Sequence, residues 1–234
     1  MRTTKYGETS IIVNLFTEIL GVQTYIVNGI RQRTKKTGST AMLFEPGNML
    51  QVVAYANEHK NMNRLKEFEF AALFKTIPQS VVKNAVLTFC VELTSKSIQE
   101  PAPMPEVFLL LQNMTMLLDA MPVQDVYNFP MLYMVQLAQE LGFGIQGLYA
   151  VHTPYLNVMD GIFQQNFINS TINCSENISH SISNLLQTDI ENAATITLLD
   201  TRKNILESLL QYLQLHISNI NTMRSPQILQ SIFE

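Results

Sequence analysis

Along the first seventy residues, apolar and polar positions follow the short period of β-strands. Ile11, Val13 and Leu15 alternate with Ile12, Asn14 and Phe16, and Gly21 breaks the run. Thr24–Val27 follows, rich in β-branched and aromatic residues. Leu50–Tyr55 comes after the turn signal Pro46-Gly-Asn48, and a last short strand is expected around Arg64–Phe68. Short strands with turns at close spacing and no helical period predict a small sandwich or barrel up to about residue 70.

From Pro78 the period changes. Val82, Ala85, Val86, Phe89, Leu93 and Ser97 recur at i, i+3/i+4, so Pro78–Gln99 reads as an amphipathic helix opened by its proline. Pro101–Pro105 stops it. Glu106–Met121 is a second helix, apolar on most faces and therefore expected to be central. Asn128-Phe-Pro130 opens a third, which runs to Leu141 and is capped by Gly142-Phe-Gly144. Gly144 to about Asn177 has no clean period and reads as irregular with short strands. Two helices follow, near Ile178–Leu186 and near Thr197–Ile217, the second with a seam of Leu206, Leu210, Leu213 and Ile217. Ser225 and Pro226 open a short closing helix. Half of the twelve methionines fall between residues 101 and 140, and core is a better reading for them than a promiscuous groove.

Composition narrows the class. Hydrophobic residues make up 47% of the chain and charged residues 15%, which disfavours long disorder. No apolar run exceeds five residues and the N-terminus lacks a secretory stretch, so no membrane contact and a cytoplasmic place are expected. Two distant cysteines, Cys90 and Cys174, exclude a disulfide framework and a four-cysteine zinc site. His59, His152, His180 and His216 have no metal-ligand spacing, and no nucleophile elbow or phosphate-binding glycine loop occurs. Neither an enzyme nor a cofactor or metal is called for.

Charge then points to a partner. The net charge is −4, yet residues 1–74 hold nine Lys or Arg against six acids, and the remainder six against thirteen. The basic half carries Arg31, Arg33, Lys35 and Lys36 within six residues, flanked by Gly29 and Gly38. A cationic loop of this kind can follow a phosphodiester backbone, releasing counterions as it does. Tyr6, Phe16, Tyr25, Phe44 and Tyr55 flank it in sequence, and stacking on aromatics beside a cationic groove is how small barrels hold single strands. Lys60, Arg64 and Lys66 extend the patch. A solvated hairpin tip is the bland alternative.

The segment Lys5-Tyr-Gly-Glu-Thr-Ser-Ile-Ile-Val-Asn-Leu-Phe-Thr-Glu18, then Gly21 and Asn28-Gly-Ile-Arg31, resembles the start of RecO proteins. Phe44-Glu-Pro46 is similar to that family's "Leu-Gln-Pro". Leu137-Ala-Gln-Glu-Leu-Gly-Phe-Gly144 is similar to its Leu-Gly-Tyr/Phe helix end, and Tyr212-x-x-x-His216 with Arg224-Ser-Pro-Gln-Ile-Leu229 to its tail. The resemblance implies an N-terminal OB-fold barrel, a C-terminal helical domain, DNA annealing, and mediation of RecA loading with RecR and the single-stranded-DNA-binding protein.

Three departures from the family pattern carry expectations. About ten residues that the family normally has before Tyr6 are missing, so either the start is misplaced or the first strand is truncated and the barrel incomplete, with an unpaired edge. The family's four zinc cysteines have no counterpart in 145–165. Met131 and Leu132 stand near the arginine that some members use to meet the acidic tail of the single-stranded-DNA-binding protein, so tail binding is expected to be weak.

The sequence therefore reads as α+β: an OB-fold-like barrel over residues 1–76 and an all-α domain with an irregular insert over 77–234. The expected function is DNA-binding recombination mediation without catalysis. Its partners are single- and double-stranded DNA, RecR and the single-stranded-DNA-binding protein tail. A helical protein-interaction adaptor with a vestigial barrel, or an RNA-binding barrel, are the alternatives. The candidate phosphate contacts are Arg31, Arg33, Lys35 and Lys36, then Lys60, Arg64 and Lys66.

Overall fold

A computed structural model describes residues 2–30, 40–55, 62–98 and 102–233. Five strands form the N-terminal sheet: β1 Arg2–Tyr6, β2 Ser10–Thr17, β3 Gly21–Val27, β4 Leu50–Ala54 and β5 Asn63–Phe70. Their order is β1-β2-β3-β5-β4, antiparallel except for the parallel pair β3–β5. This is an OB-like arrangement, and the barrel is not closed: β1 and β4 are both edges. β1 stands where a lost or truncated first strand was expected. It pairs with β2 from Arg2↔Asn14 to Tyr6↔Ser10.

The period of two decides the faces. Ile11, Val13, Tyr25 and Val27 point inward and pack with Ile30 and Phe44, while Leu15, Leu50, Leu65 and Phe68 surround them. Phe44 and Phe68 meet edge to face at 5.0 Å. β1 is held to this core by the Thr3 hydroxyl, which donates to the Phe44 carbonyl at 2.8 Å.

Among the described residues six α-helices follow: α1 Val81–Ser97, α2 Pro105–Ala120, α3 Phe129–Glu140, α4 Glu176–Leu186, α5 Arg202–Gln214 and α6 Ser225–Phe233. The segment between α3 and α4 holds a small hairpin, β6 Tyr155–Asn157 with β7 Ile162–Gln164. Side-chain caps place several starts. Ser80 accepts from Lys83 N and opens α1, while Pro78 sits in a preceding 3-10 turn. Thr201 accepts from Asn204 N, so α5 starts five residues later than the expected Thr197. Its buried seam is Leu206, Leu209 and Leu213, with Leu210 only partly covered, and the helix ends at Gln214, short of the expected Ile217, which is buried beyond it. At the end of α3, Gly142 takes φ +84°, its N–H donates to Gln139 O, and Phe143 N donates to Ala138 O. That pair of bonds closes the helix as a Schellman turn.

The expected centre of the helical part was α2, and the structure corrects this. Nine of the first ten residues of α3 are buried, and α1 is buried around most of its circumference. α2 buries only Val107, Met114, Thr115 and Leu118, leaving Leu109 and Met116 exposed. Apolarity alone did not rank the two helices, because both read as apolar and only packing partners separate them. Four of the six methionines between 101 and 140 are buried: Met114, Met121, Met131 and Met134.

Among the described residues, several contacts tie the sheet and its connection to the helices. Phe16 and Val22, on the outer side of β2 and β3, pack against the helical core, with Phe16 edge-on to Phe108 at 5.5 Å. Gly21, at φ +66°, lies so close to residue 102 that a Cβ there would stand 2.1 Å from the Ala102 carbonyl oxygen. At the connection, Asp119 accepts from the backbone N–H of Lys75, Thr76 and Ile77 at 2.8–3.0 Å. The buried Lys83 ammonium bridges Thr76 Oγ1 and Asp119 O. Farther on, Glu92 of α1 accepts from Arg224 N, Ser225 N and Ser225 Oγ, which fastens α6.

Candidate nucleic-acid interface

The residues opposite the barrel core define an outward face. Strand register puts them in rows, because directly opposed residues share a side. Arg2, Asn14 and Thr24 form one row; Thr4, Ile12, Ile26 and Arg64 a second; Tyr6, Ser10 and Asn28 a third. Cross-strand bonds link Thr24 Oγ1 to Asn14 Oδ1 at 3.2 Å and Ser10 Oγ to Asn28 Oδ1 at 3.1 Å. Ile12 and Ile26 form a half-buried apolar centre, with exposed Arg2 and Arg64 on the flanking strands and Tyr6 half exposed at one corner. Where Phe16 meets Phe108, the helical part covers one end of this face. Among the described residues, none is seen to cover the Ser10 end.

Of the seven expected phosphate contacts, only two fall within the described residues. Arg31, Arg33, Lys35, Lys36 and Lys60 lie outside them. Arg64 and Lys66 are exposed on β5, but they are not equivalent. The register shifts between Val53, opposite Glu67, and Ala54, opposite Leu65, which leaves Lys66 as the extra residue on β5. Lys66 and Glu67 thus both turn out of the core, and Lys66 Nζ lies 3.2 Å from Glu67 Oε1. A surface pair like this contributes little stability, but it neutralises Lys66 in part.

The aromatic expectation also divides. Tyr25 and Phe44 are core residues, Phe16 packs on Phe108, and burial pushes the Tyr25 hydroxyl up from its ordinary value. Only Tyr6 and Tyr55, 50% and 58% exposed, offer a ring to solvent among those five. Sequence reasoning passed over Arg2, since it saw no strand before Ile11. Arg2-Thr3-Thr4-Lys5-Tyr6 is polar throughout and shows no apolar alternation, so only its pairing with β2 marks it as a strand.

Between β2, β4 and α2 lies a cavity of about 470 Å3, lined by Phe16, Tyr25, Leu50, Val52, Phe108 and Leu111 among others. Its lining carries Glu18 and no Lys or Arg. The place expected for a tail-binding cation is not a surface at all. Met131 and Leu132 are both 0% exposed in the helical core, so neither lines a pocket that a partner can reach. Burial pushes both thiols up, Cys174 to about 11, as befits small core residues rather than nucleophiles. Among the described residues, no group of three His, Cys, Asp or Glu is placed to hold a metal ion, and no helix is long and apolar enough to cross a membrane.

Two family models match this chain: recombination protein O N terminal over residues 1–74, and recombination protein O C terminal over residues 78–151. Proteins named DNA repair protein RecO are similar over nearly the whole chain. That of Christiangramia forsetii is 29% identical over 234 residues, covering 98% of this chain and 94% of its own length. Those of Flavobacterium johnsoniae and Bacteroides fragilis are each 25% identical, covering 98% of this chain and 94% and 95% of theirs. With the N-terminal and C-terminal family models matched in order over 1–151, and relatives aligned over nearly their whole length, the chain belongs to the recombination protein O family.

Proposed function

We propose that the outward face of β1, β2, β3 and the start of β5 binds DNA, and that the chain acts through it as a non-catalytic recombination mediator. As a member of its family the chain works in DNA repair and recombination. The observation that carries the site is the register that aligns Arg2, Ile12, Ile26, Arg64 and Tyr6 on one open face. Cations at the flanks meet phosphates, and the apolar centre with the Tyr6 ring receives bases. OB-type barrels bind nucleic acid on this side of strands 2 and 3. Arg31, Arg33, Lys35 and Lys36 follow β3 in sequence and extend the cationic path, with Lys60 and Lys66 as weaker additions. On this reading residues 1–76 are the DNA-binding domain and 77–234 the domain that meets proteins.

RecR and the single-stranded-DNA-binding protein are the partners this reading includes, with strand annealing and RecA loading as the steps served. The exposed apolar residues of α2 and the cavity beside them suit a protein contact. The sign of Glu18 favours a neutral or basic segment there over an acidic tail.

Fluorescence anisotropy with a labelled single-stranded oligonucleotide over a salt series tests the face. The Arg2→Ala, Arg64→Ala double variant is expected to bind about tenfold more weakly, with a salt slope flatter by about 1.4. Unchanged affinity and slope would remove this face from consideration.

A further inference from the structure

Another cavity, of about 200 Å3, lies where the turn after β6 and the segment before α4 meet α5. Its walls are Val158, Phe167, Ser170, Asn173, Ile178 and Ser208 among others. Phe167, 48% exposed, leans edge-on against Tyr155 at 5.2 Å, which holds its ring at the rim. Ser175, Ser208 and Gln211 also line the cavity, but their side chains are engaged within the chain, with Ile178 N, Asn204 O and Thr171 O. Asn173 differs. It is 3% exposed, its Oδ1 accepts from Ile168 N at 2.8 Å, and its Nδ2 has no hydrogen-bond partner among the described residues. Buried donors are almost always bonded, so an orphan in a cavity wall calls for an acceptor that the chain does not supply. The lining holds no Lys, Arg, Asp or Glu. Around it the sequence is acidic: from Ser97 to Thr201 the chain has ten Asp or Glu and no Lys or Arg. Asp160, two residues past Val158, and Glu176, next to Ser175, are both exposed. The nearest cation in sequence is Lys203, five residues before Ser208.

We infer that this cavity is a peptide-docking site, which takes one aliphatic side chain from a partner protein's segment that carries Lys or Arg beside it. The inference does not rest on DNA binding by the sheet. A pocket for a drug-sized molecule measures about 300–1,000 Å3, so a cavity of about 200 Å3 holds a single side chain. Val158, Phe167 and Ile178 suit an aliphatic one. The acceptor for Asn173 Nδ2 is neutral, because nothing in the lining balances an anion and the two acids beside it repel one. A backbone carbonyl next to the anchoring side chain meets that need. Flanking cations are drawn to Asp160 and Glu176, which set register and on-rate more than affinity. The anchor and the carbonyl supply the rest, as in other peptide sites where main-chain bonds give affinity and side-chain pockets give specificity.

The test probes an array of short peptides with the full chain, each peptide having a central Leu, Trp or Glu flanked on both sides by Lys, Ser or Glu. Leu flanked by Lys is expected to be retained best. In solution it should bind about tenfold more tightly than Leu flanked by Glu, a difference that shrinks at high salt. Ser170→Trp, at the exposed mouth, is expected to weaken that peptide about tenfold or more, and Asp160→Asn with Glu176→Gln about threefold. Asn173→Asp keeps the acceptor for Ile168 N and removes the donor, and is expected to weaken it about fivefold. Val151→Ser, 91% exposed on the loop before β6, controls for a surface change, and thermal melts confirm folding. Retention of no peptide, or binding that Ser170→Trp leaves unchanged, overturns the docking site. Equal binding of the Lys-flanked and Glu-flanked peptides overturns the basic partner. Failure of the sheet to bind DNA leaves both standing.

Discussion

Phe16 on β2 and Phe108 on α2 meet edge to face, their ring centroids 5.5 Å apart at an interplanar angle of 69°. Phe16 sits on the outward side of the sheet, where an exposed ring would otherwise be free to stack on a base. The contact gives that ring to the helical core instead, and so sets where the outward face proposed to bind DNA ends. Phe108→Ala is expected to lower stability by about 2 kcal/mol, less than for a fully buried Phe because the ring is only half covered. Urea unfolding followed by circular dichroism measures it.

The Asp119 and Glu92 carboxylates titrate below their ordinary values of 3.8 and 4.5. In each, burial pushes upward, but hydrogen bonds outweigh it: from Lys75, Ile77 and Thr76 to Asp119, and from Ser225 and Arg224 to Glu92. A depressed acid stabilises the fold above its unfolded value, and that contribution is lost as pH falls through the folded value. Stability is therefore expected to decline from about pH 4.5 downward. In the Asp119→Asn, Glu92→Gln variant that decline should be shallower, starting from a lower plateau at neutral pH. Melting temperatures from pH 7 to pH 3 check the slope.

Leu132→Arg places a cation where the family resemblance led one to expect it, and the structure turns the outcome around. Leu132 is fully buried in α3, so the guanidinium meets no water and no partner. The expected cost is about 4 kcal/mol or more, with loss of soluble protein rather than tighter binding of an acidic peptide. A soluble variant with an unchanged melting temperature would show that α3 is not the helical core.

Replacing Arg31, Arg33, Lys35 and Lys36 by alanine is expected to weaken DNA binding about equally for all sequences. The salt slope on single strands should flatten by up to about 0.7 per lost phosphate contact. An unchanged slope would identify the segment as a solvated tip.

Gly21→Ala combines two penalties, a left-handed backbone angle of +66° and a Cβ driven into the Ala102 carbonyl. A loss of about 2 kcal/mol or more is expected, with the sheet displaced from the chain ahead of α2. A lower midpoint in urea unfolding of the variant than of the parent reads out the loss.

The elements themselves were legible because their signals are local. A period of two marks β2, β4 and β5, a period near 3.6 marks the helices, and Ser225, Pro130 and Gly142 mark boundaries through backbone chemistry that acts within one turn. The charge asymmetry and the order of family motifs were legible too, since neither needs coordinates. Tertiary structure decided what depends on partners distant in sequence. Whether Tyr25, Phe44 or Phe16 faces a base or a core is set by what lies across the barrel or on α2, and all three read alike as aromatics near a basic loop. α2 and α3 are both apolar, yet only α3 is enclosed, because burial belongs to the set of surrounding elements and not to a helix alone. Arg2 reaches the site through its register with Asn14, and Lys66 loses part of its charge to Glu67 through a bulge. Register and bulge are properties of paired strands, and a sequence shows one strand at a time.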